Sequence, residues 1–117
     1  MWALRKRAQF KNVYKFGIGW RNRLVIVKAV ANDLEFSRYG FSVTKSVGKA
    51  VVRNKIRRRL REIMRMLPVK SGWDLVVIAR PESVDTDFKQ LERSVKKLLL
   101  RADLLVDKNE TVGNRVN

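Results

Sequence analysis

A chain of 117 residues without cysteine or histidine has no disulfide framework, no thiolate chemistry, no ordinary zinc site and none of the commonest general bases. Its 27 Lys and Arg against 11 Asp and Glu leave a net charge of +16, which suits a polyanion, whether nucleic acid or a membrane surface. At 45% hydrophobic residues the chain supports one folded domain with a modest core rather than general disorder, and the lack of a long apolar run or signal-peptide pattern makes the cytoplasm its expected location.

Taken in order, residues 1–16 (MWALRKRAQFKNVYKF) are basic and predict a helix from about Leu4 onward. Phe10, Val13 and Tyr14 share one side at i, i+3, i+4, and Gly17 is placed to end the helix as a C′ residue. Ile18–Arg21 reads equally as a short strand or a loop. Arg23–Val30 (RLVIVKAV) is rich in β-branched residues and predicts a strand, closed by the turn-prone Ala31-Asn32-Asp33. Ser37–Lys45 alternates, with Tyr39, Phe41 and Val43 on one side and Arg38, Ser42 and Thr44 on the other. That period of two predicts a strand with one covered and one polar face.

The stretch Val47–Met66 (VGKAVVRNKIRRRLREIMRM) separates into two faces at 100° per residue. Val52, Ile56, Leu60, Ile63 and Leu67 form an apolar seam. Arg53, Asn54, Arg57, Arg58, Arg61 and Arg65 occupy the opposite arc, with Lys55 and Arg59 on the flank. From Lys45 to Arg65 nine Lys or Arg stand against one acid, Glu62, a net +8 and half the charge of the chain. Stacked arginines repel along a helix. A phosphate chain relieves that repulsion and suits the planar, bidentate guanidinium. The helix reads as a nucleic-acid binder that stops before Pro68.

Trp73–Arg80 (WDLVVIAR) is nearly continuous in apolar residues and predicts a central strand buried on both faces. Asp85 or Thr86 is placed to cap a last helix whose seam is Phe88, Leu91, Val95, Leu98 and Leu99. From about residue 103 to 117 the apolar content thins, predicting a frayed tail. The element order is helix, strands, helix, strand, helix, an α/β sandwich on one small sheet.

Little in the chain supports catalysis by its own residues. Glu82, Asp85 and Asp87 are the nearest approach to an acidic cluster and fit the N-terminal charge bias of a helix. No glycine pattern makes a phosphate loop. Phe10 and Tyr14 have two readings. They pin the first helix to the sheet, or they stack unpaired bases in a basic groove whose other wall is Ser42, Thr44 and Lys45.

The segment VGKAVVRNKIRRRLRE resembles the conserved segment of the bacterial ribonuclease P protein component, through Ala50, Arg53-Asn54-Lys55, Ile56, Arg57-Arg58, Leu60 and Arg61. FKNVYKFG, NRLVIV, YGFSVTKSVGKA and DLVVIARP extend the likeness along most of the chain. Lys55 departs from the frequent Arg at the third motif position, and Lys28 stands where an aromatic of the family's groove would align. The resemblance implies an α+β fold on a mixed four-stranded sheet with a left-handed strand–helix–strand crossover, whereas general chain geometry favours the right-handed one.

The resemblance also implies a single protein copy joined to a large catalytic RNA that removes the 5′ leader of precursor transfer RNA. The RNA would hold the magnesium and do the hydrolysis, leaving the protein no catalytic residue. Arg53, Asn54, Lys55, Arg57, Arg58 and Arg61 would contact that RNA and the nearby leader, with Lys45, Lys49 and Arg65 extending the surface. Phe10, Tyr14, Ser42 and Lys45 would line the leader groove. Two other readings fit a basic helix: a ribosomal protein, and a DNA-recognition helix. The second normally carries more Asn, Gln or Ser among its arginines than Asn54 alone.

Overall fold

In chain order, the computed structural model describes residues 1–106 as β1 (Trp2–Ala3), α1 (Arg7–Phe16), β2 (Ile18–Arg21), β3 (Val25–Ala31), β4 (Arg38–Ser42), α2 (Ala50–Met66), β5 (Trp73–Ala79), a 3₁₀ turn (Pro81–Asp85) and α3 (Phe88–Arg101). The strands form one mixed sheet in the order β1-β4-β5-β3-β2. Strand β5 holds the centre, antiparallel to β3 and parallel to β4. Its apolar run demands cover on both faces, and it has that cover. Leu75, Val77 and Ala79 point into the main core under α2 and α3. Val76 points the other way, to a smaller core with Leu4 and Val13 under α1.

The sheet has five strands rather than the expected four. The extra one, β1, is two residues long and pairs parallel with Arg38 and Tyr39. Two residues cannot display a period, so the strand exists through its tertiary partner alone. Leu4 then donates its N–H to the Tyr39 carbonyl at 2.9 Å and is buried, which pins the chain's start to the sheet edge. Ile18–Arg21 proves to be a strand, antiparallel to β3. The connection is held by Asn22, whose Oδ1 accepts from the N–H groups of Leu24 and Val25, both at 3.1 Å.

Helix ends differ from expectation in three places. Helix α1 begins at Arg7, later than Leu4, because the Gln9 side chain draws the N–H groups of Arg5 and Lys6 into a cap at 2.8 and 3.0 Å. Gly17 is extended, with φ −74°, so it is no left-handed terminator. It is there for clearance: a Cβ would lie 2.4 Å from the Val13 carbonyl oxygen. At α3 the cap is Asp87, whose Oδ1 accepts from Gln90 N–H at 2.8 Å while Gln90 returns the bond at 3.0 Å. Pro81 opens a 3₁₀ turn that takes up Glu82 and Asp85, and Thr86 donates its hydroxyl to the Ser83 carbonyl at 2.6 Å.

The tail from residue 103 does not fray at its start. Asp103 adopts φ 57° and turns the chain back, so that Leu104 N–H reaches the Leu99 carbonyl at 2.9 Å. Leu104 and Leu105 are buried, and Lys70 and Val106 bond across to Leu104 and Pro68 at 2.8 Å each. The rest of the expected tail, residues 107–117, lies outside the described residues.

Candidate nucleic-acid interface

The two faces of α2 are real. Ile56, Leu60 and Ile63 are buried as the seam requires, and Met64 joins them. Val52 and Leu67 are only half-buried at the two ends. The helix starts at Ala50, after a turn at Lys45-Ser46-Val47 and with Lys49 at its N-cap, and carries no acid in its first turn and no side-chain cap. Its positive end therefore stays unopposed by the protein.

Asn54, Lys55, Arg58, Arg61 and Arg65 are exposed, as are Lys45 and Lys49 in the turn before the helix. Arg53 and Arg57 sit half-buried along the flank instead of on the outer arc. Arg57 donates to Asn54 Oδ1 at 2.9 Å, and the enclosed Nε of Arg53 has no partner. Arg65 lies 3.5 Å from Glu62, both side chains more than half exposed, a pair of little energetic consequence. Among the described residues no carboxylate pairs with Arg53, Arg57, Arg58 or Arg61. Arg59 has a different task. On the opposite flank it donates to the Thr86 carbonyl at 3.2 Å, tying α2 to the entrance of α3.

Because β1 pairs only with Arg38 and Tyr39, the edge of β4 is open from Gly40 to Ser42. A cleft of about 320 Å³ runs along that edge, and Phe10, Gly40, Phe41, Arg57, Arg61 and Arg65 are among its lining residues. The α1 aromatic thus meets the arginine flank of α2 across the rim of the sheet. The Arg61 guanidinium lies 5.9 Å from the Phe41 ring centroid. Phe41 was not among the sequence candidates; its place on the covered face of an alternating strand gave it a core role. Phe10 is half-buried and packs on the smaller core, so it both pins α1 and lines the cleft.

The other groove candidates are less tightly gathered. Tyr14 is 41% exposed and does not line that cleft. Lys28 from β3 places its Nζ 5.5 Å from the Tyr14 ring centroid, which fills the position of the expected aromatic with a cation–π partner. Ser42 is on the α1 side of the sheet by alternation with Gly40, whose α-carbon faces Phe10. Lys45 stands in the turn beyond. Burial pushes the Tyr39 phenol above its ordinary value. The Arg38 guanidinium is pushed up as well, chiefly by its hydrogen bonds to Asp74. Among the described residues no three His, Cys, Asp or Glu come together as a metal site.

Fold and surface together define a class: a small basic α+β protein whose single mixed sheet carries an arginine-rich helix with one carboxylate, Glu62, and an aromatic cleft at the adjoining sheet edge. The ribonuclease P family profile matches residues 2–103. The ribonuclease P protein component of Clostridioides difficile is 39% identical over 107 residues, covering 89% of this chain and 94% of that protein. That of Dehalococcoides mccartyi strain 195 is 40% identical over 114 residues, covering 97% and 95%. Among solved structures, the RNase P protein of Staphylococcus aureus superposes with TM-score 0.82 at 32% identity, over 91% of this chain and 99% of that one. The protein from Thermotoga maritima gives 0.79 at 33%, over 86% and 97%. The chain belongs to the bacterial ribonuclease P protein component family, a family of transfer-RNA processing.

Proposed function

We propose that this chain is the protein subunit of a ribonuclease P ribonucleoprotein. In that reading it binds the catalytic RNA and the single-stranded 5′ leader of precursor transfer RNA, and promotes magnesium-dependent removal of the leader by the RNA. The observation that carries it is the shared cleft of Phe10, Arg57, Arg61 and Arg65. A stacking ring and guanidiniums in one concavity suit an unpaired strand, because bases stack on aromatics while phosphates pair with arginines. The exposed arc of α2, with Arg58, Lys55 and Asn54, faces outward for the folded RNA.

The contribution to catalysis is then electrostatic and positional. Cations on α2 lower the repulsion between two polyanions, the catalytic RNA and its substrate. Contacts to the leader raise affinity for precursor over product. The magnesium would be held mainly by the RNA, and no step of the chemistry passes through a protein side chain. The family's bacterial members and the absence of any described helix long and apolar enough to cross a membrane are consistent with work in the bacterial cytoplasm.

The test adds purified protein to transcribed ribonuclease P RNA and a leader-bearing precursor at low magnesium, and follows cleavage. The expected result is stimulated cleavage with tighter binding of precursor than of mature transfer RNA. No stimulation, with equal affinity for the two, contradicts the proposal.

A further inference from the structure

Helix α3 carries a second row of cations. Lys89, Arg93, Lys97 and Arg101 follow one another at i, i+4, climbing the helix with about 6 Å of rise between neighbours. All four are exposed. Like charges at this spacing oppose helix formation, and among the described residues no carboxylate pairs with any of them. Glu92, the only acid of the helix, falls about 120° from the centre of the row. Arg93 and Lys97 share a concave surface of about 320 Å³ with Asn22, Arg23, Gln90 and Ser94, and no acid lines it. The surface is braced, because Asn22 Nδ2 donates to the Ser94 carbonyl at 2.9 Å.

This surface is separate from the first. Helix α2 packs over β4, whereas α3 packs over β3 and β2. Lys96, about 80° from the centre of the row, shares a hollow with Met66 and Leu67 at the end of α2, while Arg93 and Lys97 lie on the side of Asn22 and Arg23. The row therefore looks outward past β2. Three strand spacings lie between β4 and β2, about 14 Å, which exceeds the screening length of about 8 Å at physiological salt. Phosphates bound on α2 do little to relieve the repulsion on α3.

We infer that the Arg23, Lys89, Arg93, Lys97 and Arg101 surface is a second RNA-phosphate site. It takes a segment of the RNA partner distinct from the one held by α2, so that the protein bridges two segments. The inference rests on the RNA-binding reading above. A membrane surface is the poorer partner, since such helices need an apolar face free to enter the lipid, and Leu91, Val95, Leu98 and Leu99 are buried in the core.

The test uses the full chain, transcribed ribonuclease P RNA as probe, and affinity measured against salt. For Arg93→Gln with Lys97→Gln, the slope of log affinity against log salt should fall by about 1.4–1.8, two phosphate contacts' worth. Charge reversal at the same positions should weaken binding more. The loss should add to that of Arg57→Ala with Arg61→Ala, as independent sites do. Circular dichroism of the Gln pair, both good helix formers, checks that α3 is intact. A steep slope for the wild type that the α3 variants leave unchanged overturns the second site and leaves the α2 reading standing. A wild type that does not bind the RNA overturns both.

Discussion

The ring of Phe10 lies directly against Gly40: a Cβ at that glycine would be 2.4 Å from the ring's Cε1 and 2.6 Å from its Cζ. The contact sets where the aromatic sits relative to the arginines across the sheet edge. Gly40→Ala should destabilise the fold by about 1–3 kcal/mol through overpacking, read as a lower urea midpoint. Phe10→Ala in the same chain should recover part of that loss, because the two sites couple. Alone, Phe10→Ala should weaken leader binding more than assembly with the RNA. If its circular dichroism shows only unfolding, the ring serves the core and not the strand.

Asp74 is 2% exposed and accepts two bonds from Arg38 at 2.8 and 2.7 Å and one from Asn32 at 2.9 Å. It joins the two parallel strands at their paired ends. Arg38→Met leaves a buried carboxylate without its cation and should cost about 3–5 kcal/mol. Asp74→Asn should cost less, because the stranded Arg38 side chain is 24% exposed. Denaturant unfolding of the two variants checks the order; the reverse order would contradict it.

Neighbouring arginines on α2 should separate cleanly. Arg59→Ala removes the bond to the Thr86 carbonyl and should lower stability by about 1 kcal/mol with the salt slope of RNA binding unchanged. Arg58→Ala should stay within about 0.5 kcal/mol of wild type in stability and reduce the slope by about 0.7–0.9. Thermal melts and salt titrations of both proteins decide it.

Burial raises the Tyr39 phenol above its ordinary 10.0, so folding favours the neutral form. That contribution is whole below pH 10 and is lost as pH climbs through the raised value. Stability measured from pH 8 to 11 should fall at the alkaline end, and Tyr39→Phe should flatten part of the fall. A Tyr39→Phe curve parallel to wild type would remove this residue as the cause.

The basic helix and the central strand were legible because each has a long, strong pattern. Ile56, Leu60 and Ile63 recur at helical spacing over about two turns of α2, and Trp73–Ala79 is apolar at every position but Asp74. The missed features are set by tertiary partners. Trp2–Ala3 is a strand only because Tyr39 accepts from Leu4, and Leu104 is buried only because Asp103 reverses the chain. At the site, the arginines were legible as a face, but their division was not. A helical wheel does not reveal that Arg59 meets Thr86, although at 100° per residue it sets Arg53 within about 20° of Leu60 at the edge of the seam. Phe41 shows the same limit, since alternation assigned its ring to the core and only the short β1 left the cleft beside it open.

The most direct measurement is the salt dependence of binding between the full-length protein and transcribed ribonuclease P RNA, with and without Arg57→Ala and Arg61→Ala. Each arginine that neutralises a phosphate contributes about 0.7–0.9 to the slope, so the double variant should bind more weakly with a slope lower by about 1.4–1.8. A double variant whose slope and affinity match the wild type would show that the guanidinium flank of α2 does not touch the RNA.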